Sequence, residues 1–407
     1  MAQTAVKPLS KAALFQAVRN EFPGVVGKTY TNTAARGLLS WQSRAALDAY
    51  LDQLQDGRLD KQANFDMIER VRAKFAELIK AQSDEIAYTK NVSEGLNMIA
   101  GALPWKAGDN VVLCRDIEHP NNIYPWLNLQ KRFGVEVRSV PDRDGAVDVE
   151  AIIDRIDDRT RLVTVATVSF APGFRTDVEA LGRVCREKDI FFLVDAVQSV
   201  GVVATDVEAL KVDGLAVSTQ KGLCGLYGMG FLYCRRDWAE RLTPAALARF
   251  GVDLGPDAHE ATMGDGQYDL MPGARRFDLG NYNFPAAIAV EPSLDLLLDL
   301  GQPMIEDYVC GLSHRLAGGL HQLGLNVSGG PPGPHLAHTV TAGQYDRNTH
   351  ESAGDPESDA LYKHLTENDV ILTVRRGMLR FSLHLYNNEA DVDRILDLVR
   401  DWQAKKG

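Results

Sequence analysis

The sequence predicts an α/β protein with a mainly parallel β-sheet, and three observations lead to that prediction. Residues 190–194 form a continuous apolar run, which is typical of a strand buried on both faces of a parallel sheet. Strand-like runs alternate with helical patterns between residues 86 and 218, as expected for strands joined by helical crossovers. Asp195 ends the apolar run, and a carboxylate at such a strand tip points into the crevice where open α/β sheets bind ligands.

The length and composition indicate a globular protein of two domains. The chain has 407 residues, of which 45% are hydrophobic and 24% charged, and its formal net charge is −11. This negative charge argues against general binding to nucleic acid or to anionic membranes. No apolar run approaches the roughly 20 residues of a membrane span. The first 25 residues contain no signal-peptide core. We therefore expect a cytoplasmic protein.

The cysteines and histidines give no pattern of a metal site. Five scattered cysteines without a CxxC pair argue against a disulfide framework or a zinc knuckle. His335 and His338 have the nearest metal-like spacing, but their segment is rich in Pro and Gly and is predicted to be a loop without a third ligand. We therefore expect no bound metal.

In the N-terminal half, the pattern first predicts a helix over residues 11–20 and a short strand that leads into the small-residue segment 29–37. An amphipathic helix is predicted over 65–81, with Val71 and Phe75 on its apolar side. A strand is predicted over 86–89, and Asn91 or Ser93 can cap the helix after it. Further strands are predicted over 110–114, 135–140, 162–168, 190–194 and 214–218, and further helices over 122–133, 149–156 and 177–188.

In the C-terminal half, residues 238–271 lack clear periodicity and are predicted to form a mobile flank of the site. A long apolar helix over 284–300 is predicted to link the domains. The pattern then predicts helices over 304–323, 358–368 and 391–402, a strand near 338–342, and strand structure within 371–383. Arg380 stands inside that last alternating stretch, where a charged side chain is expected to face solvent or a carboxylate.

Asp195 and Lys221 together point to a particular cofactor. Lys221 follows the predicted strand 214–218, so an acid and a lysine lie at two strand tips, 26 positions apart (221 − 195). Lysine can hold the aldehyde of pyridoxal 5′-phosphate as a Schiff base, and a carboxylate can keep the pyridine nitrogen protonated. Taken singly, such an Asp is usually a cap and such a Lys is usually solvated. The pair is more specific than either residue.

Two motifs carry a resemblance to a known family. Asp-Ala-Val-Gln-Ser-Val-Gly (195–201) and Ser-Thr-Gln-Lys-Gly (218–222) resemble the fold-type I pyridoxal phosphate enzymes of the class V aminotransferase and cysteine desulfurase superfamily. The resemblance extends from Tyr30 to Val392. It implies a large α/β domain with a mainly parallel seven-stranded sheet and a small α+β domain. We expect an N-terminal segment at 1–28 that packs with the small domain, a large domain at 29–290, and a linker helix with the small domain at 291–407.

The resemblance also implies roles for single residues, although helix capping at Ser93 and a surface position for His119 explain the sequence equally simply. His119 would lie against the cofactor ring and move protons. Arg380 would hold the α-carboxylate of an amino acid substrate as a bidentate fork. Other cofactor contacts are expected from Ser93, Glu94, Gln198, Ser218, Gln220 and Asn281 of the partner subunit, which implies a homodimer with shared sites, and substrate contacts from Asn32 and Ala34.

Departures from the family pattern bear on the reaction. Cysteine desulfurases carry a nucleophilic Cys on a loop before the Arg, whereas here Arg376-Gly377 leads directly towards Arg380. They also carry an Asn where Phe170 stands and a His where Gln220 stands. The first hypothesis is therefore a class V aminotransferase acting at the α-carbon of an amino acid. The alternatives are an α,β-eliminating cysteine/cystine-type C–S lyase and an amino-acid epimerase; a persulfide-forming desulfurase and a non-enzymatic regulator are disfavoured.

Overall fold

The computed structural model describes residues 10–255, 258–259, 261–264, 266–346 and 348–405. The strands are β1 (Thr29–Tyr30), β2 (Ile86–Thr89), β3 (Asn110–Leu113), β4 (Glu136–Ser139), β5 (Thr160–Ala166), β6 (Phe191–Asp195), β7 (Gly214–Ser218), β8 (Gly230–Cys234), β9 (Val252–Asp253), β10 (Asp269–Leu270), β11 (Thr339–Ala342), β12 (Val370–Ile371), β13 (Thr373–Arg375) and β14 (Met378–Ser382). The α-helices are α1 (Lys11–Asn20), α2 (Trp41–Gln55), α3 (Lys61–Leu78), α4 (Val92–Ala102), α5 (Tyr124–Phe133), α6 (Val149–Ile153), α7 (Val178–Glu187), α8 (Arg236–Arg241), α9 (Phe284–Leu300), α10 (Gln302–Gln322), α11 (Pro356–Glu367) and α12 (Glu389–Ala404).

Seven strands form the central sheet, in the order β2-β8-β7-β6-β5-β3-β4. β8 is antiparallel to both of its neighbours, and the other paired strands are parallel. Alternate residues of β6 enter two separate cores: Phe192 and Val194 pack on one face, and Phe191 and Leu193 on the other. This two-sided burial explains the continuous apolar run. The strand order and directions confirm the predicted mainly parallel seven-stranded sheet.

Helical crossovers bring the strand tips of this sheet to one edge. Asp177 caps the start of α7, since its carboxylate accepts the N–H of Ala180 at 3.1 Å, and the helix buries Leu181 and Cys185 against the sheet. The chain then returns through β6, so that Asp195 lies at the same edge as the end of β7. Within the described part of the chain, no helix is long and apolar enough to cross a membrane.

The C-terminal region builds its own antiparallel sheet, in the order β11-β14-β13. The N-terminal helix packs on this region: Phe15 stacks on Tyr308 of α10 at 3.7 Å between ring centroids, and Arg19 forms a 2.7 Å ion pair with Asp391 of α12. β1 pairs in parallel with β12, so the chain around Thr29 is also joined to the C-terminal region. The three-part domain division stays a prediction, and residues 1–9 of its first segment lie outside the described residues.

Two helices were absent from the sequence prediction. α2 carries Leu47, Leu51 and Leu54 at helical spacing, but only Ser43 of this helix is fully buried, and Leu51 and Leu54 are exposed. α8 and the β9–β10 pair lie in the stretch 238–271 that we expected to lack regular structure, and Trp238 there is buried against Phe191 at 5.2 Å between ring centroids. The mobility of that stretch stays a prediction, and residues 256, 257, 260 and 265 lie outside the described chain.

Candidate active site

A cavity of about 410 Å³ opens at the carboxyl ends of β6 and β7, beside the start of α4. Open α/β sheets bind their ligands at this edge. The structure brings most of the predicted site residues into the cavity lining: Ala34, Ser93, His119, Asp195, Gln198, Ser218, Gln220, Lys221 and Arg380. Asn32, Glu94 and Asn281 are outside this lining. The cavity therefore unites residues from both halves of the sequence.

Asp195 provides a buried carboxylate at the tip of β6. Within the described chain its side chain accepts one hydrogen bond, from the N–H of Val197 to Oδ1 at 3.0 Å, which leaves Oδ2 available to a ligand. Burial raises the pKa of Asp195, and the Val197 N–H and the charge of Lys221 oppose that rise. A cationic ligand group placed against Asp195 would further stabilise the carboxylate. A protonated pyridine nitrogen is such a group.

Lys221 lines the same cavity from the loop after β7. Burial lowers the pKa of its amine to about 8; Asp195 opposes this shift, and the guanidinium groups of Arg380 and Arg375 add to it. An amine with a pKa near 8 has an appreciable neutral fraction near physiological pH, and this neutral form can attack a carbonyl carbon. Lys221 therefore has the character of a nucleophilic lysine rather than of a solvated surface residue.

His119 is held as a neutral imidazole in the cavity wall. Burial and, to a smaller extent, the nearby charge of Lys221 lower its pKa to about 4. Its Nδ1 accepts the N–H of Asn121 at 3.2 Å, which assigns the ring proton to Nε2. The ring meets Phe170 edge-on at 5.2 Å between centroids. An uncharged ring at this position suits packing against a flat aromatic ligand.

The N-terminus of α4 gives the cavity an anion-binding end. Asn91 caps the helix by accepting the N–H of Glu94 at 3.0 Å, and Ser218 Oγ accepts the N–H of Val92 at 2.9 Å. The N–H of Ser93, a residue of the cavity lining, has no hydrogen-bond partner within the described chain. A free N–H, a serine hydroxyl and the positive end of the helix dipole suit a phosphate group.

Gln198 has an unsatisfied polar atom at the cavity. Its Nε2 donates to the carbonyl of Ala34 at 3.2 Å, but its buried Oε1 has no partner within the described chain. A buried acceptor without a partner costs about 1–3 kcal/mol. Such an atom indicates that a polar ligand or water completes the site. The residues that line the cavity therefore fit pyridoxal phosphate at three points: the phosphate, the ring nitrogen and the aldehyde.

Arg380 is a buried guanidinium without a carboxylate partner in the described chain. It is 2% exposed, and its Nη1 and Nε donate to Phe170 O at 2.8 Å and to Thr373 Oγ1 at 3.2 Å. Burial and the nearby charge of Arg375 lower its pKa to about 9. A buried cation needs a counter-ion, and a carboxylate that enters the cavity would supply one. Arg375 is a second cation in the cavity lining.

Three predicted site residues, Asn32, Glu94 and Asn281, lie outside the cavity lining. Glu94 Oε2 accepts the N–H of Lys90 at 2.5 Å, and Glu94 lines a neighbouring cavity together with the exposed Asn281. Asn32 has a buried Oδ1 without a partner in the described chain. The proposed contacts of these three residues with cofactor or substrate stay predictions.

Arg376 is a structural link that the sequence did not reveal. Its Nη1 donates to Asp116 O at 2.6 Å and to Tyr345 Oη at 2.9 Å, and its guanidinium lies 4.6 Å from the ring centroid of Phe170. It thus fastens the β13–β14 hairpin to the segment that carries His119. The local signal was only Arg-Gly in a turn, because every partner of Arg376 is distant in sequence.

The hairpin itself is tight and contains no cysteine. Arg376 and Gly377 have φ angles of 50° and 79°, and they form the complete connection between β13 and β14. All five cysteines of the chain are buried, and none lines the cavity. The cysteine nearest in sequence to Lys221 is Cys224, whose pKa burial raises to about 12. These facts leave the cavity without a reactive thiol of this chain.

This fold and cavity define a pyridoxal phosphate-dependent enzyme of fold type I. The class is supported by a carboxylate and a lysine at strand tips, a helix N-terminus beside them and a buried arginine opposite. The model of the family described as "Aminotransferase class-V" matches residues 55–395, so the chain belongs to that family.

The chain is similar in sequence to several relatives and in fold to several solved structures. A probable cysteine desulfurase of Methanothermobacter thermautotrophicus is 33% identical, with 82% of this chain and 83% of the relative covered. The uncharacterized aminotransferase YcbU of Bacillus subtilis is 29% identical, with 94% and 96% covered. Among solved structures, apo cysteine desulfurase from Thermococcus onnurineus NA1 matches with a TM-score of 0.82 and 25% identity over 95% of this chain and 97% of that one. The cystine C–S lyase C-DES, at 24% identity and a TM-score of 0.81 over 93% and 99%, shows the shared fold.

Proposed function

We propose that this enzyme is a C–S lyase that removes the side-chain sulfur of a cysteine-type amino acid by α,β-elimination. With cysteine and water, the balanced products are pyruvate, ammonia and sulfide. The observation that carries the proposal is a complete set of lysine, carboxylate and arginine in a cavity without a cysteine. The similarity to proteins named cysteine desulfurases supports a sulfur-containing substrate.

The residues proposed to hold pyridoxal phosphate follow from the geometry of the cavity. Ser93 and Ser218 would bind the phosphate at the start of α4, Asp195 would pair with the pyridine nitrogen, and His119 would pack on the ring. Gln198 would contact a polar substituent of the ring through its free amide oxygen or its second N–H. When bound, the cofactor supplies an electron sink next to the α-carbon.

Side chains of the protein would bind the substrate and move its α-proton. Arg380 would bind the α-carboxylate and thereby orient the substrate, and its own buried charge would gain a counter-ion. The Lys221 amine, with its pKa near 8, would take the α-proton and hold it at Nζ. Asp195 would remain charged beside the cationic ring nitrogen. Loss of the β-substituent as a thiol or sulfide then completes the elimination.

The tight hairpin favours release of sulfur to solution over transfer to a cysteine of the chain. A persulfide-forming route needs a thiolate that reaches the substrate sulfur, and thiolates form at exposed sites of low pKa. Here the thiol nearest in sequence to Lys221, Cys224, is 2% exposed and its pKa is raised. The relatives' names therefore support sulfur chemistry, while the position of the cysteines opposes the persulfide route.

Transamination is the second candidate, and Gln220 is the observation that favours it. Gln220 lines the cavity beside Lys221, where the resemblance places Gln in aminotransferases and His in desulfurases. The similarity to the uncharacterized aminotransferase YcbU points the same way. Epimerisation would use the same lysine without loss of the side chain. The shared homodimeric site also remains a proposal, with Asn281 exposed and able to meet a partner.

One experiment separates these reactions. Purified holoenzyme is mixed with L-cysteine, L-cystine and a panel of other amino acids in the absence of a keto acid, and the spectrum and products are followed. Continued release of pyruvate and ammonia with a sulfur product supports the lyase. One equivalent of keto acid with pyridoxamine phosphate indicates transamination, and deuterium at the α-carbon without net product indicates epimerisation. Formation of alanine with protein-bound sulfur would contradict the proposal. A K221A variant is the inactive control.

A further inference from the structure

A buried histidine, His384, connects the strand that carries Arg380 with the loop that follows β7 and contains Lys221 (residues 219–222, the lysine loop). It lies four residues after Arg380, just beyond the end of β14, and its side chain is fully buried. Its Nε2 is 2.9 Å from the carbonyl oxygen of Gly222, the residue that follows Lys221. The contact therefore links two segments that are 162 positions apart in the sequence.

The surrounding hydrogen bonds define the tautomer of His384. Its Nδ1 accepts the backbone N–H of Leu385 at 2.8 Å, so the ring proton is on Nε2 and is donated to Gly222 O. Burial lowers its pKa to about 4, so the ring is neutral at physiological pH. Tyr386 stacks on the ring at 5.1 Å between centroids, and the backbone N–H of His384 donates to Asn387 Oδ1 at 2.9 Å. The donor is thus fixed in direction as well as in protonation.

The lysine loop is enclosed on its other sides by backbone. A Cβ added to Gly222 would meet Val200 O at 2.3 Å, and one added to Gly201 would meet Gly222 O at 2.2 Å. Gly37 N donates to Gln220 O at 2.8 Å on the other side of Lys221. The loop therefore has close backbone contacts around it, and His384 adds a side-chain hydrogen bond next to the lysine.

We propose that His384 is a positioning residue that sets the place of the Lys221 amine relative to Arg380. β14, which contains Arg380, is held between β11 and β13, and just past its end Leu383 N donates to His338 O at 2.9 Å. The chain is therefore held in place from Arg380 up to His384, and the hydrogen bond from His384 to Gly222 O restrains the lysine loop against it. Without it, a buried carbonyl loses a donor and the loop can relax, while Arg380 keeps its contacts with Phe170 and Thr373.

We predict that loss of the His384 hydrogen bond impairs the catalytic step carried out by Lys221 and leaves substrate binding unchanged. A displacement of a catalytic group by about 1 Å can cost about 100-fold in rate. We therefore expect H384L to lower kcat by about 10- to 100-fold with little change in KM, since Arg380 is unmoved. The inference rests on the proposed role of Lys221 and on no choice among the candidate reactions.

The test compares the original holoenzyme with four variants that differ from it at buried positions of one segment. H384Q keeps a side-chain N–H that can reach Gly222 O, H384N has a shorter polar side chain, and H384L has no donor. Y386F is the matched control, because it removes the hydroxyl contact with Thr33 and leaves the bond from His384 to Gly222. Each protein is treated with borohydride, and the fraction of cofactor attached to Lys221 is measured by peptide mass spectrometry. Stopped-flow absorbance gives the rate of the first spectral change with L-cysteine.

The expected result is a slower first spectral change in H384L and H384N, a smaller fraction of cofactor on Lys221, and recovery by H384Q to within about threefold of the original rate. Equal thermal stability of H384N and H384Q would show that the difference is not a folding defect. The inference is overturned if H384L matches the original protein, or if H384Q is as slow as H384L. Absence of cofactor from Lys221 in the original protein would contradict the proposed role of that lysine instead.

Discussion

The substitution Arg380→Ala tests the proposed binding of the substrate carboxylate. Arg380 already uses one N–H of Nη1 for Phe170 O and its Nε for Thr373 Oγ1, so Nη2 and the second N–H of Nη1 can form a fork with a carboxylate. A net loss of about 2–4 kcal/mol is expected when such charge-assisted contacts are removed. This corresponds to an increase of about 30- to 700-fold in the dissociation constant.

The assay is a spectral titration of the holoenzyme with the amino acid, which gives a dissociation constant directly, accompanied by kcat and KM. Arg380→Lys should recover part of the affinity, because it restores the charge without the planar fork. Arg375→Gln is the matched control, since Arg375 lines the same cavity. If Arg380→Ala binds the substrate normally and Arg375→Gln binds it weakly, Arg375 is the clamp and our assignment is wrong.

Three further predictions follow from buried charges. Attachment of the cofactor should accelerate as pH rises through about 8, because the Lys221 amine loses its proton there; a rate independent of pH between 6 and 10 would contradict the pKa of about 8. Asp195→Asn should lower kcat by at least about 100-fold while borohydride still traps cofactor on Lys221, because the ring nitrogen loses its anionic partner; unchanged kcat would exclude this role. Asp278→Asn should lower the free energy of unfolding by about 3–5 kcal/mol, because Arg72, which is 0% exposed, loses its buried ion-pair partner at 2.7 Å and keeps only the partly exposed Glu69 at 3.4 Å. Chemical denaturation would measure this change, with the exposed Asp48→Asn expected to cost less than about 1 kcal/mol.

Much of the fold was predictable because its determinants are local. The two-sided burial of β6 is encoded in consecutive apolar residues, and α1 and α9 occupy the residues that the pattern predicted. α2 was missed even though Leu47, Leu51 and Leu54 recur in it at helical spacing. Leu51 and Leu54 are exposed, so the apolar residues of this helix do not mark a face buried in the core of the chain.

The same distinction applies to the site. Asp195 and Lys221 were predictable because each follows a recognisable strand, and the parallel sheet brings both strand tips to one edge. Arg376 and His384 were not, because their partners lie 260 and 162 positions away and no local pattern specifies them. A lone buried histidine in a strand-like segment has many simpler interpretations than a hydrogen bond to the lysine loop.

The β13–β14 hairpin connects the fold with the choice among reactions. Arg376 closes the hairpin, lies on Phe170 and donates to Asp116 O, next to the segment that carries His119. A cysteine-bearing loop inserted here would have to displace Arg376 from those contacts, and Phe170 would lose the cation that covers its ring. A nucleophilic loop at this hairpin would therefore need another anchor for the segment that carries His119. For an enzyme related to cysteine desulfurases, this geometry supports the proposed release of the sulfur as a small molecule.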